Sequence, residues 1–242
     1  MAKKDYFLPE FYRGIAHRGI HDNKTVTENG LKAFSLAISN DTAFELDIHL
    51  TSDGKLLVCH DSELKRVTGK EGIIENLTFD EIRANYRLLD GEMLPSFQEV
   101  LDLNRERHII VTELKVYEGN YKPLAKAAKA ILKQIKDPKK IVLISFDPRA
   151  LLLMGKRFSR SLLICKDKDW VWKLHNFFDG VDLEYSMAYE KRVINYHHHG
   201  GNVNVWTLEK EEDLVKIIPY VDTVTYQYLE PAKVKEALAR KK

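Results

Sequence analysis

Glu45 and Asp47 stand two residues apart inside AFELDIHL (43–50), an otherwise apolar run. Side chains alternate along a strand, so the two acids share a face. Glu113 and Lys115 repeat that spacing in HIIVTELK (108–115). His17 closes a short apolar run, GIAH (14–17), with Arg18 directly after it, and a His60–Asp61 pair closes the stretch that follows AFELDIHL. Three carboxylates gathered in a half-buried place repel one another, and burial penalises their charge, so alone some would be forced neutral. A hard divalent cation removes the conflict, because Ca²⁺ and Mg²⁺ prefer oxygen donors. Mn²⁺ can substitute. Glu45, Asp47 and Glu113 therefore form a candidate metal cradle. The competing reading pairs each acid with a Lys or Arg on a polar rim. That suits a single acid better than three at matching strand positions beside two histidines.

The charges also point to a kind of substrate. Three carboxylates, one divalent cation, Arg18 and Lys115 sum to a single positive charge, which suits the single negative charge of a phosphodiester. Arg18 can grip phosphate oxygens through its planar fork, and a cation can polarise a phosphoryl group. Cleaving a phosphodiester needs one proton removed from the attacking oxygen and one supplied to the departing one. Histidine does either near neutral pH, each step being worth about 10² to 10⁴ in rate. His17 and His60 are the candidates. Asp61 either orients a neighbour or shapes the turn.

These residues need a scaffold that brings them together. Eight apolar runs alternate with helical patterns: the three above, then KIVLISF (140–146), SLLICK (161–166), GVDLEY (180–185), NVNVWTL (202–208) and DTVTY (222–226). Alternation of this kind implies right-handed crossovers and a parallel sheet. Eight units in 242 residues predict a closed (β/α)8 TIM barrel, read as a single domain over 1–242. An open doubly wound sheet is the rival, but no glycine-rich dinucleotide fingerprint follows the first run. Residues 51–95 break the rhythm, and their Asp53–Gly54 pair signals a hairpin. This stretch is expected to be a small insertion after the second strand, on the C-terminal face where such barrels build active sites.

Composition narrows the setting. Net charge is +2, so no global field draws in nucleic acid, and a small anionic molecule is the expected partner. Cys59 and Cys165 do not make a disulfide framework. The N-terminal stretch lacks the apolar core of a signal peptide, and no run approaches the roughly 20 apolar residues of a transmembrane segment. The cytoplasm is the expected location.

The ordered pieces HRG (17–19), EN (28–29), ELD (45–47), DG (53–54), HD (60–61), LPSFQEVL (94–101), ELK (113–115) and VWTL (205–208) resemble the glycerophosphodiester phosphodiesterase family over nearly the whole chain. The resemblance implies a (β/α)8 barrel with a small insertion, a divalent metal, and cleavage of glycerophosphodiesters to glycerol 3-phosphate and an alcohol. By motif match Glu45, Asp47 and Glu113 hold the metal, His17 and His60 act as acid and base, and Arg18 and Lys115 contact phosphate. Trp206 either walls the glycerol end or packs inside the barrel, and Glu28 supports the site from the start of the first helix. The chain departs from the family at TENG (27–30), where Thr27 and Gly30 replace Pro and Thr, and at TYQYLEP, where the usual Asp or Asn is missing. A polar contact near the last strand is therefore expected to be lost. Other functions on the same scaffold are a phospholipase D-like or cyclising enzyme acting on lysophospholipids, and a non-catalytic glycerophosphodiester-binding protein. Two proton carriers argue against the last, since binding alone needs neither.

Two stretches look chemical and are read as structural. YHHHGG (196–201) falls at a helix end on the barrel's bottom, where histidines and glycines suit a helix stop. DWVWKLHNFF (169–178) reads as an outer helix packed on the barrel, with Trp170 or Trp172 as the alternative wall for an apolar alcohol group.

Overall fold

A computed structural model describes residues 6–240. Each apolar run forms a strand where expected. The strands are β1 (Ile15–Ala16), β2 (Ala43–Leu50), β3 (Leu56–Val58), β4 (Ile110–Leu114), β5 (Ile141–Ser145), β6 (Ser159–Ile164), β7 (Gly180–Glu184), β8 (Val203–Leu208) and β9 (Thr223–Tyr226). All but β3 run parallel, and β1 pairs with both β9 and β2, so the sheet closes into an eight-stranded barrel. The surrounding helices are α1 (Leu31–Ser39), α4 (Phe97–Asn104), α5 (Tyr121–Leu132), α6 (Pro148–Met154), α7 (Lys191–His198), α8 (Glu211–Ile217) and α9 (Pro231–Ala239); the short α2 (Lys65–Thr68) and α3 (Phe79–Asn85) lie in the insertion.

Strands buried on both faces read as continuous apolar runs. On β2, Phe44, Leu46 and Ile48 join the large cluster between barrel and helices. The opposite face starts with Ala43, which joins Ile15, Val111, Val142, Ile144 and Leu163 in a second cluster. Phe7 and Phe11, stacked at 4.3 Å around the turn Pro9–Arg13, complete that cluster and close the barrel from below. Apolar filling at one end leaves the C-terminal end for polar groups.

The insertion has its own core. Thr51 accepts from Gly54, donates its N–H to Lys55, and turns the chain so that β3 returns antiparallel along β2. Leu57, Cys59, Leu64, Val67, Ile74, Ile82, Leu88 and Leu94 pack together there. Ser96 then starts α4 with a capping box to Glu99, and Arg83 of α3 grips the same Glu99 with two bonds of 2.9 and 3.1 Å.

One expectation fails. Residues 166–177 form successive 3₁₀ turns interrupted at Lys168, not an α-helix. The stretch has too few apolar residues on one side to bury a helical face: Val171 alone is fully buried, while Trp170 and Phe177 are exposed.

Candidate active site

Asp47 and Glu113 are register partners on β2 and β4, and Glu45 lies one inward position below Asp47. All three are buried, and one carboxylate oxygen from each lies within 4.8 Å of the others, an arrangement that could hold a metal ion. Lys115, just past β4, places Nζ 3.1 Å from Glu113 Oε1 and 3.3 Å from Asp47 Oδ1. Arg18 donates its backbone N–H to Glu45 Oε2 at 2.9 Å, while its Nε stands 3.7 Å from Asp47 Oδ2. Asn29 donates to that Asp47 Oδ2 at 2.9 Å.

Two cations face three buried acids, and burial is the largest single influence on the proton affinity of each. Glu45 is pushed well above the carboxylate range by burial and then by the charge of Asp47. Glu113 is also raised by burial, with Lys115 only partly opposing it. Asp47 ends below its ordinary value: burial pushes it up, but Lys115, His60, Arg18 and the Asn29 amide outweigh burial. Lys115 is raised because Glu113 and Asp47 overcome the effect of its own burial.

The two histidines reach this cluster from two different loops, one after β1 and one after β3. His17 follows β1 directly, and Nε2 lies 4.0 Å from Glu45 Oε2. Its Nδ1 bonds Gln227 Oε1 at 2.8 Å, and Gln227 Nε2 donates to Glu209 Oε1 at 2.6 Å. The amide is thereby oriented with oxygen toward the ring, so Nδ1 carries the proton and Nε2 the lone pair. Burial and then the Arg18 charge pull His17 down to about 3. The sequence suggested a lost polar contact near the last strand; Gln227, the residue after β9, supplies one. His60 leaves the insertion beside β2, and its Nδ1 meets Asp61 Oδ1 at 2.6 Å. Burial lowers His60 too, with Asp61 among the groups opposing the shift.

A chain of ion pairs joins the two loops. Arg18 Nη1 bonds Glu28 Oε1 at 2.7 Å, and Arg66 of α2 holds Glu28 through bonds of 2.7 and 3.0 Å. Arg66 Nε also donates to Asp61 Oδ2 at 2.5 Å. Burial pushes Glu28 up, but the Arg66 bonds and the Arg18 charge bring it down to about 2. Arg18 adopts a left-handed φ of 55°, and Gly19 follows at 80°. A Cβ on Gly19 would stand 2.7 Å from the Ala33 backbone, so this glycine lets the His17–Arg18 turn rest against α1.

Trp206 walls a cavity of about 100 Å³ whose other lining includes His17, Arg18, Glu45, His60 and Glu113. Its indole donates to the Asp182 carbonyl at 3.2 Å and stands edge-on to Phe146 at 5.7 Å. Asp182 is buried beside it, accepts from Asn204 at 2.7 Å, and is raised to about 7 by burial. The cavity shares His60, Glu113 and Phe146 with a cleft of about 790 Å³ that also meets Lys115, Arg149, Lys168 and Trp170. Trp172 points elsewhere: it stacks on His175 at 4.8 Å and meets Tyr196 edge-on. His197 of the histidine tract bonds Asp222, at the N-terminal end of β9 and away from this mouth.

Sequence reasoning assigned no role to His49, Asn29, Arg66, Asp182 or Gln227. His49 carried a readable signal, since it shares the face of Glu45 and Asp47. It is buried, with Nδ1 2.6 Å from Glu75 and Nε2 3.0 Å from the His60 carbonyl. Asp182 carried the same signal, an acid inside an apolar run. Arg66 and Gln227 carried none, because Glu28 lies 38 residues from Arg66 and His17 210 residues from Gln227.

Fold and site define a class: a (β/α)8-barrel enzyme whose C-terminal mouth joins a buried carboxylate cluster to two imidazoles. Residues 17–230 match the glycerophosphoryl diester phosphodiesterase family, and the chain belongs to that family. A glycerophosphodiester phosphodiesterase of Caldanaerobacter subterraneus is 28% identical over 84% of this chain and 88% of its own length. The crystal structure of a Thermotoga maritima glycerophosphodiester phosphodiesterase superposes with a TM-score of 0.73 at 26% identity, covering 94% of this chain and 97% of that one. A phosphodiesterase of Oleispira antarctica in complex with the product sn-glycerol-3-phosphate shares the fold at a TM-score of 0.81 and 24% identity, covering 93% and 96%. Among the described residues no helix is long and apolar enough to cross a membrane.

Proposed function

We propose that this protein hydrolyses glycerophosphodiesters to glycerol 3-phosphate and an alcohol, using a divalent cation held by Glu45, Asp47 and Glu113. Family membership supports the substrate class. The observation that carries the chemistry is the meeting of three carboxylates within 4.8 Å between His17 and His60. The cluster suits a hard cation: burial, then for Glu45 the neighbouring Asp47 charge, pushes Glu45 and Glu113 up, and Asp47 Oδ1, although 3.3 Å from Lys115 Nζ, makes no hydrogen bond. When bound, Ca²⁺, Mg²⁺ or Mn²⁺ would neutralise the acids and withdraw charge from the phosphoryl group.

The chain's own groups do the rest. Arg18 and Lys115 bind phosphate oxygens, and Glu28 holds the Arg18 guanidinium in place. His17, neutral and with its lone pair on Nε2, suits removal of a proton from the attacking oxygen. His60 suits delivery of a proton to the departing oxygen, because the Asp61 carboxylate stabilises its imidazolium. Trp206 closes the glycerol end and excludes water from that side. The free thiols of Cys59 and Cys165 support a reducing, cytoplasmic setting.

A panel of glycerophosphodiesters assayed for released glycerol 3-phosphate, after stripping and with each cation added back, tests the reading. His17→Ala and His60→Ala each lower turnover by about 10²- to 10⁴-fold. Unaltered rates in both variants would remove the mechanism. The large cleft beside Phe146 and Trp170 favours a second reading, in which the departing alcohol belongs to a lysophospholipid. Loss of turnover on a lysolipid but not on glycerophosphocholine in Trp170→Ala would support it.

A further inference from the structure

The chain's charge is unevenly placed. Between Asn120 and Phe158 ten lysines and arginines meet two acids, Asp137 and Asp147, so the rest of the chain is net acidic. On α5 and at its C-cap, Lys122, Lys126, Lys129 and Lys133 recur at the spacing of one stripe along a helix. All four are exposed. Among the described residues none has a carboxylate within 4 Å. Beside α5, α6 turns Arg149, Leu152 and Leu153 outward, the leucines 51% and 39% exposed. Leu153, Ala125, Ala130 and the four lysines line a groove of about 510 Å³. Lys156 and Arg157 extend the basic surface beyond the end of α6.

Four like charges without a counter-charge repel one another, which is unfavourable unless an anionic surface is met. The apolar component narrows the choice of surface. Lysine stems beside alanines and a leucine, with ammonium groups that no carboxylate holds, suit a boundary between water and hydrocarbon. A nucleic acid offers phosphates but no place for Leu152 and Leu153. An anionic bilayer offers both, since its headgroup layer attracts lysines and its acyl boundary accepts leucines. The face also runs on to the reaction site. Arg149 lines the large cleft with Trp170, paired to Asp147, and its guanidinium lies 4.3 Å from the ring of Tyr121, the first residue of α5.

We infer that the α5–α6 face docks this enzyme reversibly on anionic phospholipid bilayers, with the cleft opening at the membrane's edge. Binding there is peripheral and independent of turnover. Co-sedimentation with vesicles tests it, comparing phosphatidylcholine alone with phosphatidylcholine containing about one-third phosphatidylglycerol. The full chain sediments with the anionic vesicles only and is released by high salt. Each lysine near such a surface contributes about fivefold, so Lys126→Glu with Lys129→Glu lowers the partition constant by at least about 25-fold. Leu152→Ser with Leu153→Ser lowers it several-fold, and both pairs leave turnover of a water-soluble diester unchanged. Equal sedimentation of wild type and the Lys126→Glu/Lys129→Glu variant overturns the inference, as does failure of the wild type to bind anionic vesicles. Tight binding of RNA or heparin without vesicle binding also overturns it and gives the face to a dissolved polyanion. A wild type that binds vesicles but hydrolyses no glycerophosphodiester keeps this inference and removes the proposed reaction.

Discussion

At His17 the proposed chemistry depends on one amide. Gln227 fixes which ring nitrogen carries the proton, and Glu209 fixes Gln227. Gln227→Leu removes that control while leaving a side chain of similar bulk. The expected result is a fall in kcat of about 10- to 100-fold with little change in KM, read from steady-state kinetics. Asp182 provides a test against pH. Its folded-state pKa, about 7, lies above the ordinary 3.8. The folded protein therefore holds this proton more tightly than the unfolded chain. The stability tied to it is complete below about pH 4 and is lost as pH rises through about 7. Asp182→Asn keeps an acceptor for Asn204 and has no proton to lose. Relative to wild type it should gain stability across that window, by up to about 4 kcal/mol above neutrality. Melting temperatures of both proteins from acid to neutral pH measure this, and parallel curves would contradict it. Glu45, Asp47, Glu113 and Lys115 were readable because alternation along a strand is local and puts every second residue on one face. The His17–Gln227 and Glu28–Arg66 pairings were not readable, because closure of the barrel brings the first together and folding of the insertion over the first loop brings the second.

The insertion acts as a bracket between the two histidine loops. Arg66, on the four-residue α2, binds Glu28 behind Arg18 and Asp61 behind His60. Arg66→Ala leaves both carboxylates short of a partner, and turnover should fall about 10- to 100-fold. Arg66→Lys should recover little, because an ammonium cannot reproduce the two-pronged grip on Glu28. Recovery to wild-type rates would show that charge alone suffices there. The bracket rests on the insertion's own apolar centre. Leu64 is fully buried in it, so Leu64→Ala should cost about 2–5 kcal/mol in denaturant unfolding. The eight barrel strands were legible as apolar runs because burial on both faces demands such runs. The helix expected over 169–178 does not form, because aromatic richness there does not make a buried helical face: Trp170 and Phe177 face outward.

Over the whole molecule, burial and charge are divided between the two ends of the barrel. Phe7 and Phe11 fill the lower end, and the unbalanced acids occupy the upper. A cation that binds only the folded chain stabilises it by mass action, by about 2.7 kcal/mol at a hundred times its dissociation constant. Chelation should therefore lower the melting temperature as well as abolish turnover, and adding the cation back should restore both. A melting temperature indifferent to chelator and cation would argue against the carboxylate cradle. The overall charge of +2 gave no hint of the basic α5–α6 face, because a sum over 242 residues hides how the charges are distributed.

Strand β2 shows how closely architecture and reactivity are tied. Its odd-numbered residues from Glu45 to His49 serve the pocket, while Phe44, Leu46 and Ile48 anchor the helical jacket. Point changes on one side of this ribbon can thus alter catalysis and spare the scaffold, or the reverse. Deleting a single codon upstream of Glu45 within the strand allows no such separation. It would swap the two sides, turn the acids toward the jacket and Leu46 and Ile48 toward the pocket, and lose shape and activity together.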